Sequence, residues 1–116
     1  MEEILNYQVI QKSEELISNL KNFSANLPDA GIYNIRAKLS SCLNDVPDKI
    51  KNGLSETRKT EKIKNFVGVF SALTECRDYL ELIDSLKYAN TDSLKKEVDA
   101  LGRLLSNDSH PLRYEY

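Results

Sequence analysis

The sequence predicts an all-α protein, an up-down-up-down bundle of four helices. Apolar residues recur in steps of three and four along most of the chain, which marks one face of a helix. Glycine and proline are scarce, four and three in 116 residues, and no alternating run of strand length occurs. The breaks between periodic segments are short, so successive helices must run antiparallel. Residues 1–106 read as one bundle domain and 107–116 as a C-terminal tail. A chain of this length buries roughly two-thirds of its unfolded surface without needing disulfides or metal. Its 41% apolar and 29% charged content suits amphipathic helices with solvated outer faces.

The first helix is predicted over residues 2–23. Leu5, Val9, Leu16, Leu20 and Phe23 form its stripe, and Ile10 and Ile17 widen it to the broad face of a bundle helix. Asn26, Leu27, Pro28 and Asp29 make the turn, with Pro28 suited to a first helical position. The second helix is predicted over 32–53, with Ile32, Ile35, Leu39, Cys42, Val46 and Ile50 on one face. Pro47 lies inside this stripe, where it lacks an N–H and crowds the carbonyl four residues back, so a kinked helix is expected. Gly53 is expected to close it in the left-handed conformation of many helix C-termini.

The third helix follows a short link, with Ser55 or Thr57 as its N-cap, and runs to about residue 88. Ile63, Phe66, Phe70, Leu73, Cys76, Leu80 and Ile83 are its expected stripe. Gly68 and Ala72 lie one turn apart off that stripe, either as a tolerated glycine or as a notch for a close neighbour. Asn90 or Thr91 should cap the fourth helix, whose stripe is Leu94, Val98, Leu101 and Leu105. Ser106 to Ser109 breaks the pattern, and the tail that follows carries Leu112, Tyr114 and Tyr116 as apolar points for a partner.

Sixteen basic against eighteen acidic residues give a formal charge of −2, which argues against indiscriminate coating of DNA. The average hides a local excess. Residues 49–64 hold Lys49, Lys51, Arg58, Lys59, Lys62 and Lys64 against Glu56 and Glu61, a charge of +4 that leaves −6 elsewhere. This cluster spans the turn between the second and third helices and so gathers at one end of the bundle. It is the candidate nucleic-acid-binding surface, although no aromatic residue interleaves it as single-strand stacking would want. No run approaches the roughly 20 apolar residues of a membrane span, and no signal peptide is recognisable, so a cytoplasmic protein is expected.

The run Tyr33-Asn34-Ile35-Arg36, continuing to Val46-Pro47-Asp48-Lys49-Ile50-Lys51-Asn52-Gly53, resembles the second helix of a family of small bacterial four-helix-bundle proteins. These are encoded in ribosomal-RNA intervening sequences, and their relatives are the accessory variability determinants of diversity-generating retroelements. The family's wording there is a pair of arginines, then Ser-Ile-Pro-x-Asn-Ile-Ala-Glu-Gly. Ser71-Ala72-Leu73-Thr74-Glu75, Leu80 and Leu86-Lys87-Tyr88 are similar to its third-helix Gly-Ser-Leu-Ala-Glu run and Leu-Gly-Tyr ending. The resemblance implies a barrel-shaped homopentamer. In the retroelement branch it implies binding to RNA or DNA and to a reverse transcriptase through basic surface. Five copies of the basic end would then form a positive ring. The chain departs from the family at Ser40 and Ser41, where the arginines would stand, and at Lys49 and Lys51.

Other chemistry is thinly represented. Arg103 and His110 have the Arg-x6-His spacing of HEPN ribonucleases, but Leu104 follows the arginine and the helix breaks before His110. Glu75 has no helical histidine to join in a di-iron site and is expected to pair with Arg36 or Lys38. Cys42 and Cys76 lack metal or redox spacing and read as small apolar packing residues. No phosphate loop and no nucleophile with a base is present, and no cofactor is implied. A non-enzymatic oligomeric adaptor is the expected function. The alternatives are a protein-interaction scaffold without nucleic-acid binding and, more remotely, a HEPN-like ribonuclease.

Overall fold

Five α-helices make up the structure, a computed structural model that describes residues 2–27, 34–87 and 89–108, with side chains over 7–27, 34–87 and 89–106. They are α1 (Glu2–Ala25), α2 (Ile35–Ser41), α3 (Val46–Ser55), α4 (Lys59–Ser85) and α5 (Asp92–Asp108). No strand occurs among the described residues. α1 packs on α2, α3 and α5, and α4 packs on α2, α3 and α5. α1 and α4 do not meet, so α2 and α3 together form one corner of a four-cornered bundle. The links at 56–58 and 86–91 are too short for anything but antiparallel neighbours. At about 1.5 Å per residue the 27-residue α4 spans roughly 40 Å, close to the 45 Å length of the molecule.

The second corner is where structure and expectation differ. The segment is not a kinked helix but two helices joined by a turn at 42–45. Pro47 sits in the first turn of α3, where its missing N–H costs nothing. In one continuous helix that N–H would have bonded the Leu43 carbonyl. Instead Val46 N–H donates to Leu43 O at 3.0 Å and Asn44 N–H to Ser41 O at 3.2 Å, three-residue bonds that interrupt the four-residue helical ladder. Leu43 consequently enters the core and Cys42 is only half-buried.

Gly53 is a second correction. It lies two residues inside α3, buried, with no left-handed φ. A Cβ there would sit 3.0 Å from Phe66 Cε2 and 3.3 Å from Asn65 Cβ, so its role is close approach of α3 to α4. Gly68 answers it from the other side, as the notch reading allowed: a Cβ would lie 3.3 Å from Lys49 Cδ. Among the described residues the left-handed ones are Asn34, before α2, and Lys87, after α4. Lys87 N–H donates to Asp84 O at 3.0 Å, the second bond of a Schellman-type stop, so α4 ends earlier than residue 88.

The core stripe of α4 is Phe66, Val69, Leu73, Cys76, Leu80 and Ile83, an alternation of three and four. Val69 replaces the expected Phe70, which with Ile63 is only half-buried. Val9, Leu16 and Leu20 of α1 and all four expected residues of α5 are buried. Leu5, Ile32, Pro28 and the tail lie outside the described side chains. Ser55 and Thr57 do not cap α4. Glu56 Oε1 takes the Arg58 N–H at 3.0 Å instead, while Asn90 Oδ1 takes that of Asp92 at 2.9 Å as expected. The distal halves of α4 and α5 are joined by Arg77–Asp99 at 3.2 Å, Lys95–Glu81 at 3.4 Å and Lys95–Asp84 at 3.3 Å.

Gly53→Ala tests the close approach. An exposed helical glycine gains about 1 kcal/mol on this change, whereas overpacking costs about 1–3 kcal/mol. Because Asn65 Cβ is fixed to the α4 backbone, a net loss of about 1 kcal/mol is expected in urea unfolding. A stabilised variant would show that the helices are not in contact there.

Candidate nucleic-acid interface

The candidate surface is built from the last turns of α3, the 56–58 link and the first turns of α4. All six predicted basic residues therefore lie toward one end of the bundle, but they do not share one face. At about 100° per residue, Lys59 and Lys62 fall within about 40° of the direction of Phe66, and Lys64 about 160° from it. Lys59 and Lys62 thus continue the core stripe past the end of the core, with Lys59 exposed and Lys62 half-buried. Arg58 stands exposed beside them. Lys64 faces the opposite way and lies 3.9 Å from Glu61, a weak exposed pair.

The two lysines of α3 also separate. Lys49 is half-buried and lays its aliphatic chain across Gly68, where its Nζ would stand 3.3 Å from an added Cβ. It packs against α4 before it does anything else. Lys51 is exposed on the other flank of α3. Arg58, Lys59 and Lys62 are accordingly the coherent part of the cluster.

The link itself is held by a carboxylate. Glu56 Oε1 accepts the Arg58 N–H at 3.0 Å and lies 3.4 Å from Arg58 Nε. The Glu56 N–H donates to Asn52 O at 3.0 Å, closing α3. The Arg58 backbone bond, with the guanidinium as a second cause, holds the Glu56 carboxyl below the ordinary glutamate range. Glu56 thus shapes the link and offsets part of the Arg58 charge.

The remaining candidates fall elsewhere. Glu75 does not pair with Arg36 or Lys38; its Oε1 accepts the Tyr79 hydroxyl at 3.0 Å, and Arg36 Nη2 donates to Ala25 O at 3.2 Å at the end of α1. Arg103 is exposed on α5, while His110 lies outside the described residues. Among the described residues no cluster of His, Cys, Asp and Glu could hold a metal, and no helix is long and apolar enough to cross a membrane. Sequence reading missed an open groove of about 480 Å³ between α4 and α5, lined by Phe70, Leu73, Arg77, Val98, Gly102 and Arg103. The one signal for it was Phe70, whose position on the apolar periodicity placed it in the core rather than at this opening.

Comparison with protein-family models, curated proteins and solved structures returns no match.

The Glu56 carboxyl is expected to titrate below the ordinary value of about 4.3 in a ¹³C NMR titration. Because the folded pKa is the lowered one, its contribution is complete above the ordinary value and is lost as pH falls through the folded midpoint. An ordinary midpoint would mean that the link is not held by this bond.

Proposed function

We propose that the protein is a non-enzymatic, cytoplasmic, oligomeric adaptor that binds nucleic acid, or a nucleic-acid enzyme such as a reverse transcriptase, through the α3/α4 end. The observation that carries the reading is the +4 charge of residues 49–64 in a chain of net charge −2. A local excess of this kind favours phosphate without requiring a basic chain, because the attraction is set within about one Debye length, roughly 8–10 Å at physiological salt. Arg58, Lys59 and Lys62 are the primary contacts, with Lys51 and Lys64 on the flanks and Lys49 supporting α3.

The proposed assembly is a cyclic homopentamer of the intervening-sequence type. Its support is the resemblance of the second and third helices, together with Val67, an apolar side chain 52% exposed on the outer face of α4. A ring would repeat the basic end five times and raise affinity for an extended anion through multivalency.

Anisotropy titrations with an RNA hairpin, single-stranded RNA and duplex DNA test the reading, with light scattering to count subunits. Binding is expected to weaken by roughly a thousandfold between 50 and 200 mM salt if six or more phosphates are engaged. The triple change Arg58→Glu, Lys59→Glu, Lys62→Glu is expected to abolish it in a particle of unchanged size. Salt-insensitive binding, or no loss in the triple variant, contradicts the proposal. No binding to any of the three probes favours a scaffold that engages protein alone.

A further inference from the structure

The groove between α4 and α5 shares no residue with the basic end, and its shape follows from one position. Gly102 lies in the interior of α5, half-buried. Glycine is, after proline, the poorest helix former, so its place inside a helix calls for a reason. At Gly53 the reason is close approach. At Gly102 it is not, because a Cβ there would meet nothing nearer than Leu73 Cδ1 at 4.0 Å, an ordinary contact, and the φ is not left-handed. What the missing side chain leaves is space. The open groove of about 480 Å³ has Leu73 of α4 and Val98 of α5 as its floor, both nearly fully buried.

The rim of the groove is polar, and its charges do not cancel. On α4 it runs from Phe70 to Arg77 and on α5 from Val98 to Ser106, about two turns each, roughly 10–12 Å. One end is crossed by the Arg77–Asp99 ion pair, 3.2 Å from helix to helix. Arg77 Nη1 is buried there and makes no hydrogen bond, so a donor on the lining lacks an acceptor. Glu81, 3.8 Å from Arg77 Nη2, is not part of the lining. Arg103 stands exposed on the rim, with no ion pair or hydrogen bond among the described residues. Two guanidinium groups are thus set against one carboxylate around an apolar floor.

We propose that this groove binds a small apolar anion, an aromatic or aliphatic body carrying one carboxylate. The body would rest on Phe70, Leu73 and Val98 in the space beside Gly102, with the carboxylate on Arg103. The volume lies within the range of small-molecule sites, about 300–1,000 Å³, and an apolar lining with a few placed polar groups is their usual make-up. Size argues against a protein occupant. A stable protein interface needs about 800 Å² from each partner, and two turns of helix closed at one end by an ion pair offer far less. Charge selects the sign. A cationic ligand meets two guanidinium groups, and a neutral one leaves Arg103 without the charge-assisted bond that a carboxylate supplies. The site is independent of nucleic-acid binding at the α3/α4 end, since the two have no residue in common.

The test titrates the full chain, labelled with ¹⁵N, with naphthalene-2-carboxylate and with its uncharged counterpart 2-naphthalenemethanol, read by amide NMR shifts. Saturating shifts centred on residues 70–77 and 98–106 are expected for the carboxylate, with a Kd at or below about 1 mM for a ligand this small. The alcohol should move the same amides with lower affinity. Gly102→Leu fills the groove and is expected to weaken carboxylate binding at least about tenfold. Arg103→Gln is expected to weaken it roughly three- to fivefold, the strength of an exposed charge pair, and to leave the alcohol unchanged. Circular dichroism confirms that both variants are folded, and Arg103→Gln, a surface change, decides alone if Gly102→Leu is not. No saturation with the carboxylate, shifts centred on other residues, equal affinity for acid and alcohol, or undiminished carboxylate binding by either variant overturns the proposal. Shifts of the same amides on dilution without ligand would assign the groove to a second copy of the chain and overturn it as well.

Discussion

The contact on which the rest depends is the close approach of α3 and α4 at Gly53. Gly53 admits the Phe66 ring, and Gly68 admits the stem of Lys49. A Cβ at Gly53 would press on the Phe66 ring and on Asn65 Cβ, whereas one at Gly68 would displace only the flexible stem of Lys49. Leu39, Ile50, Phe66 and Val69, all at or near zero exposure, belong to the one buried core. The same approach fixes the basic end. A three-residue link, tied by Glu56 at both its backbone and side chain, leaves Arg58 and the first turn of α4 little choice of direction.

The break at 42–45 is the complement of that contact. Pro47 cannot donate to Leu43, so α3 starts afresh and can be set against α4 independently of α2. α2 packs on α1, where Arg36 Nη2 donates to the Ala25 carbonyl. One corner of the bundle thus serves two neighbours with two short helices. The half-buried Cys42 at the joint follows from the same geometry.

Much of this is legible in the sequence because periodicity reports burial directly. Val9, Leu16 and Leu20 of the α1 stripe and the whole α5 stripe are buried, Phe23 is half-buried, and the four-cornered order follows from link lengths. The errors are local and share a cause. A proline within a periodic stripe fits either a kink or a new first turn, and the two differ only in which carbonyl bonds go unmade, so Leu43 was lost to Cys42. Phe70 and Val69 are adjacent, and both fit steps of three or four; only the neighbouring helices decide which is inside. Gly53 carries the signature of a helix end, but its value lies in a contact with a residue thirteen positions on. For the basic cluster, sequence gives the charge and the end of the bundle. It does not give the division between Arg58, Lys59 and Lys62 on one side and Lys64 on the other, nor the packing of Lys49 on Gly68.

The proposed interface therefore narrows to the link and the first turn of α4, with the α3 lysines in support. Hydrogen–deuterium exchange with and without a bound RNA or DNA measures this most directly, because it reads every segment of the chain at once. The account predicts protection concentrated in residues 51–64, with α5 and the α4/α5 groove unchanged. Protection centred on 98–106, or spread evenly over the chain, would contradict it.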